Sequence, residues 1–415
     1  MKIKLLTLLF ALWCLSFSAF ADNHEFESFA NEQSRLMHVA YEKKDTKAYS
    51  QLLTSFLKRY NKLSAQEQKQ YAGYLSNSYY NLSCAYALLN QKDMAITYLD
   101  KSIKAGYLNY AHIQEDTDFD NLRTEPGFIT LTQSLRRISD YPYILEHAAA
   151  YNRNDTRLVP KFAYQAASNP NLVTLRKALN LDSIAGQGNQ VSKVLNLMYW
   201  IHNLIPHDGN HMNPVVKNAM SMINECKRDN RGLNCRGLAT VLNECYLSMG
   251  IKSRFVTCLP KDSLSIDPDC HVINMVYIND LKKWIWVDPT FAAYVRDENG
   301  QFLGIEEVRE RLIEKKPLIL NPEANWNHKQ SQTKEYYLGY YMSKNLYMLE
   351  CPVSSEYDTE TSVAGKQIEY VKLLPLEYFK QATDNKAVST NNKSKVTYTT
   401  YGTNNPNTFW AAPEK

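Results

Sequence analysis

The chain has 415 residues and a formal net charge of +4, and 22% of its residues are charged. Charges of both signs in near balance exclude the strongly basic face of a nucleic-acid-binding protein. The length indicates two or three domains, and beyond the N-terminal segment no apolar run is long enough to span a bilayer.

The N-terminus has the pattern of an export signal. Two lysines precede a nearly continuous apolar run from Leu5 to Phe20, with an alanine on each side of Phe20. Residues 1–21 are therefore predicted to be a cleaved signal peptide, and the mature protein is expected to be secreted or periplasmic. A lipid anchor on Cys14 is the alternative, but the bulky Trp13 before it argues against that reading.

Loss of Cys14 leaves seven of the eight cysteines in the mature chain. In an oxidising compartment disulfides can persist, but an odd number means that at least one thiol cannot pair within the molecule. An odd number of cysteines is compatible with a catalytic cysteine but does not require one.

Residues 22–150 form the first predicted domain after the signal, and they read as helical. One stretch has the spacing of a tetratricopeptide repeat, with small residues where two helices would approach and larger ones along the seam. Its members are Tyr79, Leu82, Ser83, Tyr86, Ala95, Leu99 and Ser102. Such units bury their faces by stacking, so this region is expected to present a protein partner or a substrate. A plain helical hairpin is the alternative.

Residues 151–325 are predicted to form an α+β catalytic domain. An apolar helix face ends before Pro206, and further helices are expected at 213–226, 235–249 and 305–313. Gly250 gives the third helix a C-terminal stop. Strands are expected at 253–258, 271–278 and 281–288. Residues 326–415 are predicted to be a strand-rich C-terminal extension with a polar tail, and the best strands there are 346–351 and 367–374.

Cys235 occupies the first position of the third predicted helix. A thiolate there would be stabilised by unpaired backbone N–H groups and by the positive end of the helix dipole. An inert structural cysteine would fit the same position, so this placement alone does not indicate catalysis.

A histidine and an aspartate follow on two predicted strands. If Asn279-Asp280 is a two-residue hairpin turn, His271 lies directly opposite Asp288, and Ile273 opposite Trp286. Opposed side chains have Cβ atoms about 4.5–5.5 Å apart, close enough for an imidazole–carboxylate hydrogen bond. Taken alone, a surface His–Asp pair is more often structural than catalytic.

Four segments together resemble the transglutaminase-like superfamily. They are Gly232-Leu-Asn-Cys-Arg-Gly-Leu-Ala239, Gly250-Ile-Lys-Ser-Arg-Phe-Val256, Asp269-Cys-His-Val-Ile-Asn-Met-Val-Tyr277 and Trp284-Ile-Trp-Val-Asp-Pro-Thr290. The resemblance extends over about 194–294. It implies a papain-like α+β fold, a nucleophile helix packed on an antiparallel sheet, with Cys235 as nucleophile, His271 as base and Asp288 as the orienting carboxylate. Asn274 departs from the aromatic or acidic residue often found there, so substrate specificity does not carry over.

The oxyanion of such a site would accept from the backbone N–H of Cys235 and from one further donor, for which Asn230 and Asn234 are candidates. His207 and His211 have a spacing that can bind zinc on a helix, but Pro206 and Gly209 exclude a continuous helix. A loop beside the substrate cleft is the favoured interpretation. We expect no metal and no cofactor.

These observations predict an exported cysteine hydrolase that acts on the amide bonds of a peptide or protein. Transamidation is the nearest alternative, because water and an amine would attack the same acyl-enzyme. A non-catalytic scaffold that retains the fold is the alternative from another class, since a fold does not prove chemistry.

Overall fold

The protein is described by a computed structural model that covers residues 25–261, 269–378 and 385–414. The predicted signal peptide, residues 1–21, lies outside the described residues. The chain divides after Asp140 into two compact units.

The first unit is all-helical, as predicted. Its first α-helix, α1, comprises residues 25–42, and a 3₁₀ turn at Thr117–Leu122 separates the last two. The other helices are α2 (Thr46–Tyr60), α3 (Ala65–Gln70), α4 (Ala72–Leu88), α5 (Lys92–Lys104), α6 (Tyr110–Glu115) and α7 (Pro126–Ser139).

Helices α4 and α5 pack closely because small residues line their contact. The Ser83 hydroxyl donates to the carbonyl of Ala95 at 2.7 Å, and Ser102 donates to that of Ser76 at 2.8 Å. Ala95 and Leu99 are fully buried between the helices. These are the seam positions that the spacing predicts, while a tetratricopeptide identity remains a prediction.

The second unit holds nine helices in its described residues. They are α8 (Tyr141–Glu146), α9 (Pro170–Ala178), α10 (Leu181–Ala185), α11 (Gln190–Leu204), α12 (Ala219–Asp229), α13 (Cys235–Ser248), α14 (Ile305–Ile313), α15 (Ser343–Asn345) and α16 (Pro406–Phe409). A π-helix, Glu335–Met342, leads into α15, and Leu376–Tyr378 is a 3₁₀ turn.

Seven strands of this unit form one sheet in the order β12-β13-β11-β9-β2-β3-β4. They are β2 (Ser253–Leu259), β3 (His271–Ile278), β4 (Lys283–Val287), β9 (Met348–Pro352), β11 (Gln367–Leu373), β12 (Lys386–Thr390) and β13 (Thr397–Thr403). Strands β11 and β13 pair in parallel, and the other neighbours are antiparallel. Short strand pairs complete the unit: β1 (Ala163–Tyr164) with β10 (Ser354–Ser355), β5 (Val295–Arg296) with β6 (Ile319–Leu320), and β7 (Asn325–Trp326) with β8 (Gln330–Ser331).

Both faces of the central strands are covered, which explains why these strands are apolar almost throughout. Val276 and Val287 point into a core shared with α9 to α13, whereas Met275 and Trp286 point into a second core behind the sheet. Helix α13 lies against β2 and β3 and is buried from Gly237 to Ser248. Helix α13 is therefore fixed against the sheet by a shared buried core.

The predicted start of one helix is wrong by six residues. The second helix of the catalytic region was expected at 213–226, but α12 begins only at Ala219, where the Asn218 side chain caps it by accepting from Ser221 N. The preceding residues form an irregular loop.

Among the described residues, no helix is long and apolar enough to cross a membrane.

Candidate active site

Cys235 is the first residue of α13, as the sequence predicts. The side-chain oxygen of Asn234 caps the helix by accepting from Gly237 N at 3.2 Å. The carboxamide of Asn213 contacts Asn234 twice, at its side chain and at its backbone N–H. Cβ on residue 237 would lie 2.7 Å from the Asn213 side chain, so Gly237 permits this contact. The thiol is thereby fixed at the positive end of a helix dipole.

His271 and Asp288 form a buried pair. Nε2 of His271 lies 2.7 Å from Oδ2 of Asp288, and neither side chain is more than 1% exposed. The other carboxylate oxygen, Oδ1, accepts from the backbone N–H groups of Thr290 at 2.8 Å and Phe291 at 3.4 Å. Hydrogen bonds on both oxygens hold the carboxylate in one orientation, so it can fix the imidazole ring.

The predicted strand register is wrong by two residues. Met275 pairs with Trp286 and Ile278 with Lys283, which leaves four residues in the loop instead of two. His271 and Asp288 are therefore not directly opposed. A two-residue slip keeps each side chain on its face of the sheet, so the carboxylate still reaches the imidazole diagonally.

The thiol and the imidazole shift each other's protonation. Burial alone would raise the pKa of the Cys235 thiol, but its interactions with His207 and His271 lower that pKa to about 6. Burial alone would lower the pKa of His271, but the Asp288 carboxylate and the thiol raise it to about 10. Between these values the favoured state is a thiolate–imidazolium pair.

Aromatic side chains from the π-helix enclose this pair, and the sequence analysis did not anticipate them. The Tyr337 hydroxyl donates to Oδ2 of Asp288 at 2.6 Å and accepts from the indole N–H of Trp286 at 3.1 Å. Tyr341 and Phe291 contact the imidazole edge-on, with ring centroids 5.2 and 5.5 Å away. The tyrosine-rich run of the π-helix is visible in the sequence. The sequence does not show, however, which strand ends these side chains cover.

The loop before α12 reaches the residues that precede Cys235, and its place beside a substrate cleft remains a prediction. Leu233 N donates to the carbonyl of Pro206 at 3.2 Å, and Asp208 N donates to the carbonyl of Leu233 at 2.8 Å. Gly232 permits this approach, because a Cβ at that position would lie 2.3 Å from the Pro206 carbonyl oxygen. The contact pairs His207 with Leu233, two residues before Cys235, and His207 lowers the pKa of the Cys235 thiol.

The other candidates lie elsewhere. His211 Nδ1 lies 2.6 Å from Asp208 Oδ2, whereas His207 Nδ1 lies 3.3 Å from the indole nitrogen of Trp326, so the two histidines have different partners. Asn230 is exposed and ends α12 in the left-handed conformation. Within the described ranges, the cluster with metal-ligand spacing is Cys84, Asp116 and Asp118 in the first unit, where tyrosine hydroxyls donate to both carboxylates.

Asn274 faces away from the histidine, as the alternation of the strand requires. Its side-chain N–H donates to the carbonyl of Ala239 in α13 at 3.0 Å. This residue therefore joins helix α13 to the strand that carries His271. The asparagine at this position therefore contributes to the packing between α13 and the sheet and does not face His271.

Comparison with known proteins agrees with this geometry. The family model of the transglutaminase-like superfamily matches residues 177–289, a range that contains Cys235, His271 and Asp288. No curated protein matches the chain at a significant level. A crystal structure of a proposed cysteine protease from Cytophaga hutchinsonii is 24% identical over 31% of this chain and 40% of that one, with a TM-score of 0.24. A partial likeness of this extent does not indicate an activity. Residues 177–289 thus constitute a transglutaminase-like domain within an α+β fold, preceded by an all-helical region.

Proposed function

We propose that the protein is an exported cysteine-dependent amide hydrolase of transglutaminase-like type, which acts through an acyl-enzyme on Cys235. The observation that carries the proposal is the buried contact of 2.7 Å between His271 and Asp288, next to a thiol at the start of α13 whose Sγ lies 4.0 Å from the carbonyl oxygen of Cys270. A nucleophile, a base and an orienting carboxylate in this chain of contacts match the requirements of acyl transfer.

In the proposed reaction, the Cys235 thiolate attacks the carbonyl carbon of a peptide or protein amide. The C–S bond forms and the carbonyl π electrons move to oxygen. When the tetrahedral adduct collapses, the C–N bond breaks and the leaving amine takes its proton from His271. Water then attacks the thioester, His271 accepts the proton, and the C–S bond breaks to release the acid and restore the thiolate. Asp288 holds the imidazole throughout.

The first test is the pH dependence of iodoacetamide labelling at Cys235 in the protein without residues 1–21. Labelling should have a midpoint near pH 6 and should shift toward the ordinary thiol value, about 8.5, in His271→Ala. Peptide mass spectrometry would assign the label, because the half-buried Cys270 is a second accessible thiol. An ordinary midpoint in the unmodified protein would overturn the proposal and favour the scaffold alternative.

A second test separates hydrolysis from transamidation. Ammonia release from a glutamine-containing protein such as dimethylated casein would be followed with and without an added primary amine, together with Cys235→Ser as the inactive control. In water we expect ammonia and the conversion of glutamine side chains to glutamate side chains. Stable incorporation of the amine at the expense of glutamate would assign the enzyme to the transamidating class instead.

Export is part of the proposal because of the N-terminal pattern, an apolar run between two lysines and Ala21. Expression of the full chain in a Gram-negative host, followed by osmotic-shock fractionation and intact mass measurement, would test it. We expect a periplasmic protein that begins at Asp22. An uncleaved cytoplasmic chain would contradict export, and a lipid-modified Cys14 would contradict cleavage after Ala21.

A further inference from the structure

A second histidine, His207, lies close to the proposed nucleophile. Hydrogen bonds to its backbone N–H and to its backbone carbonyl hold it in place. The side-chain oxygen of Asn327 accepts from His207 N at 2.7 Å, and the Asn327 carboxamide donates to His207 O at 2.9 Å. The bridge to Leu233, two residues before Cys235, fixes the same segment to the start of α13. His207 is therefore positioned relative to the thiol by backbone contacts.

Trp326 sets the tautomer of this histidine. The indole N–H of Trp326 donates to Nδ1 of His207 at 3.3 Å. An indole is a donor only, so Nδ1 must act as the acceptor and the neutral ring carries its hydrogen on Nε2. The Nε2–H group is then the donor that the neutral ring offers, and His207, paired with Leu233 two residues before Cys235, lowers the pKa of the Cys235 thiol.

The two histidines at the thiol thus have different partners and different capabilities. His271 contacts a carboxylate, which suits a ring that accepts and returns a proton. His207 contacts an indole donor, which suits a ring that offers a fixed N–H group. A fixed donor beside the nucleophile is what a developing oxyanion requires, because it needs no reorganisation during the reaction.

We propose that His207 is a catalytic residue whose Nε2–H donates to the oxyanion formed when Cys235 attacks a carbonyl, and that Trp326 is the positioning residue that maintains this tautomer. The inference rests on the proposed function. The backbone N–H of Cys235 supplies the other donor. His207 takes the role for which Asn230 and Asn234 are the candidates in the sequence. The Asn234 carboxamide is held at the start of α13, where its oxygen accepts from Gly237 N and from the Asn213 side chain.

Two reagents separate an oxyanion donor from a group that merely activates the thiol. Acylation of Cys235 by p-nitrophenyl acetate passes through an oxyanion, whereas alkylation by iodoacetamide does not. In His207→Ala the limiting acylation rate at high pH should fall by about 10²-fold or more, the usual effect of losing one such donor. The limiting alkylation rate should change by less than about 10-fold, since the thiolate is then fully formed.

Matched variants define the controls. His211→Ala changes the exposed histidine of the same loop and should leave both rates as they are. His207→Gln keeps an N–H donor and should retain more acylation than His207→Ala. Trp326→Phe keeps an aromatic side chain without the indole N–H and should lower acylation more than alkylation. Circular dichroism would verify folding, and His207→Gln provides the comparison if His207→Ala does not fold.

Each outcome decides the inference. If His207→Ala lowers the acylation and alkylation rates equally, His207 acts only on the thiol. If His207→Ala leaves acylation unchanged, His207 has no role in catalysis. Either result overturns the proposal. A failure of the proposed function has a different signature, which appears before any substitution: Cys235 with an ordinary labelling midpoint and no p-nitrophenol burst. A low midpoint without a burst would retain the activated thiol and overturn the oxyanion assignment.

Discussion

Asp288 receives His271 and Tyr337 on the same carboxylate oxygen, Oδ2, at 2.7 and 2.6 Å. The other oxygen, Oδ1, accepts from two backbone N–H groups. Each oxygen of this buried carboxylate therefore has two hydrogen-bond donors, one for each of its lone pairs. The orientation of the imidazole thus depends on a hydroxyl that comes from a helix 49 residues further along the chain.

Asp288→Asn should weaken catalysis strongly while it preserves the shape of the site. The amide cannot stabilise an imidazolium, so the pKa of His271 should fall, the labelling midpoint of Cys235 should rise, and acylation should slow by about 10²–10⁴-fold. The measurement is p-nitrophenyl acetate burst kinetics together with the iodoacetamide pH profile. If Asp288→Asn retains full acylation, Asp288 is structural.

Tyr337→Phe should destabilise the second unit. The change removes a donor to Asp288 and leaves the buried indole N–H of Trp286 without its acceptor, which costs about 1–3 kcal/mol. Urea unfolding followed by tryptophan fluorescence would measure it. Tyr336→Phe, a half-exposed neighbour on the same π-helix, is the matched control and should change stability by less than ~0.5 kcal/mol.

The pH profile of acylation should be bell-shaped with a broad plateau. Reactivity rises as the Cys235 thiol loses its proton, with a pKa of about 6, and falls as the His271 imidazolium loses its proton, with a pKa of about 10. The ion pair therefore exists between these two values, and both limbs belong to the coupled pair. Steady-state p-nitrophenyl acetate turnover from pH 4 to 11 would show it. In His271→Ala the acidic limb should move upward, and a profile that rises only near 8.5 in the unmodified protein would contradict the pairing.

The helical seam of the first unit should tolerate no added volume. Ala95→Leu would force extra methyl groups between α4 and α5, where Ala95 is fully buried, at a cost of about 1–3 kcal/mol. Met94→Leu, at the neighbouring position with 40% exposure, should have little effect. Thermal unfolding by circular dichroism would compare them, and an equally stable Ala95→Leu would show that the helices do not pack through this residue.

The amino-acid sequence alone determined the local elements and the chemistry of the site residues. Helix α14 and strand β3 have the predicted bounds, because their apolar periodicity and flanking residues are local signals. Cys235 at the first position of a helix follows from the same kind of pattern. The pairing of His271 with Asp288 was predicted as a contact, although through the wrong register, because both registers place the two side chains on one face.

Tertiary structure alone decided what surrounds those residues. The four-residue loop of the β3–β4 hairpin, the Tyr337 hydroxyl and the Trp326–His207 hydrogen bond leave no periodic trace in the sequence. The last of these joins residues 119 positions apart. Such contacts arise only when the sheet and the irregular loop before α12 are packed around α13, since side-chain hydrogen bonds depend on where distant segments meet and not on the local pattern of either segment.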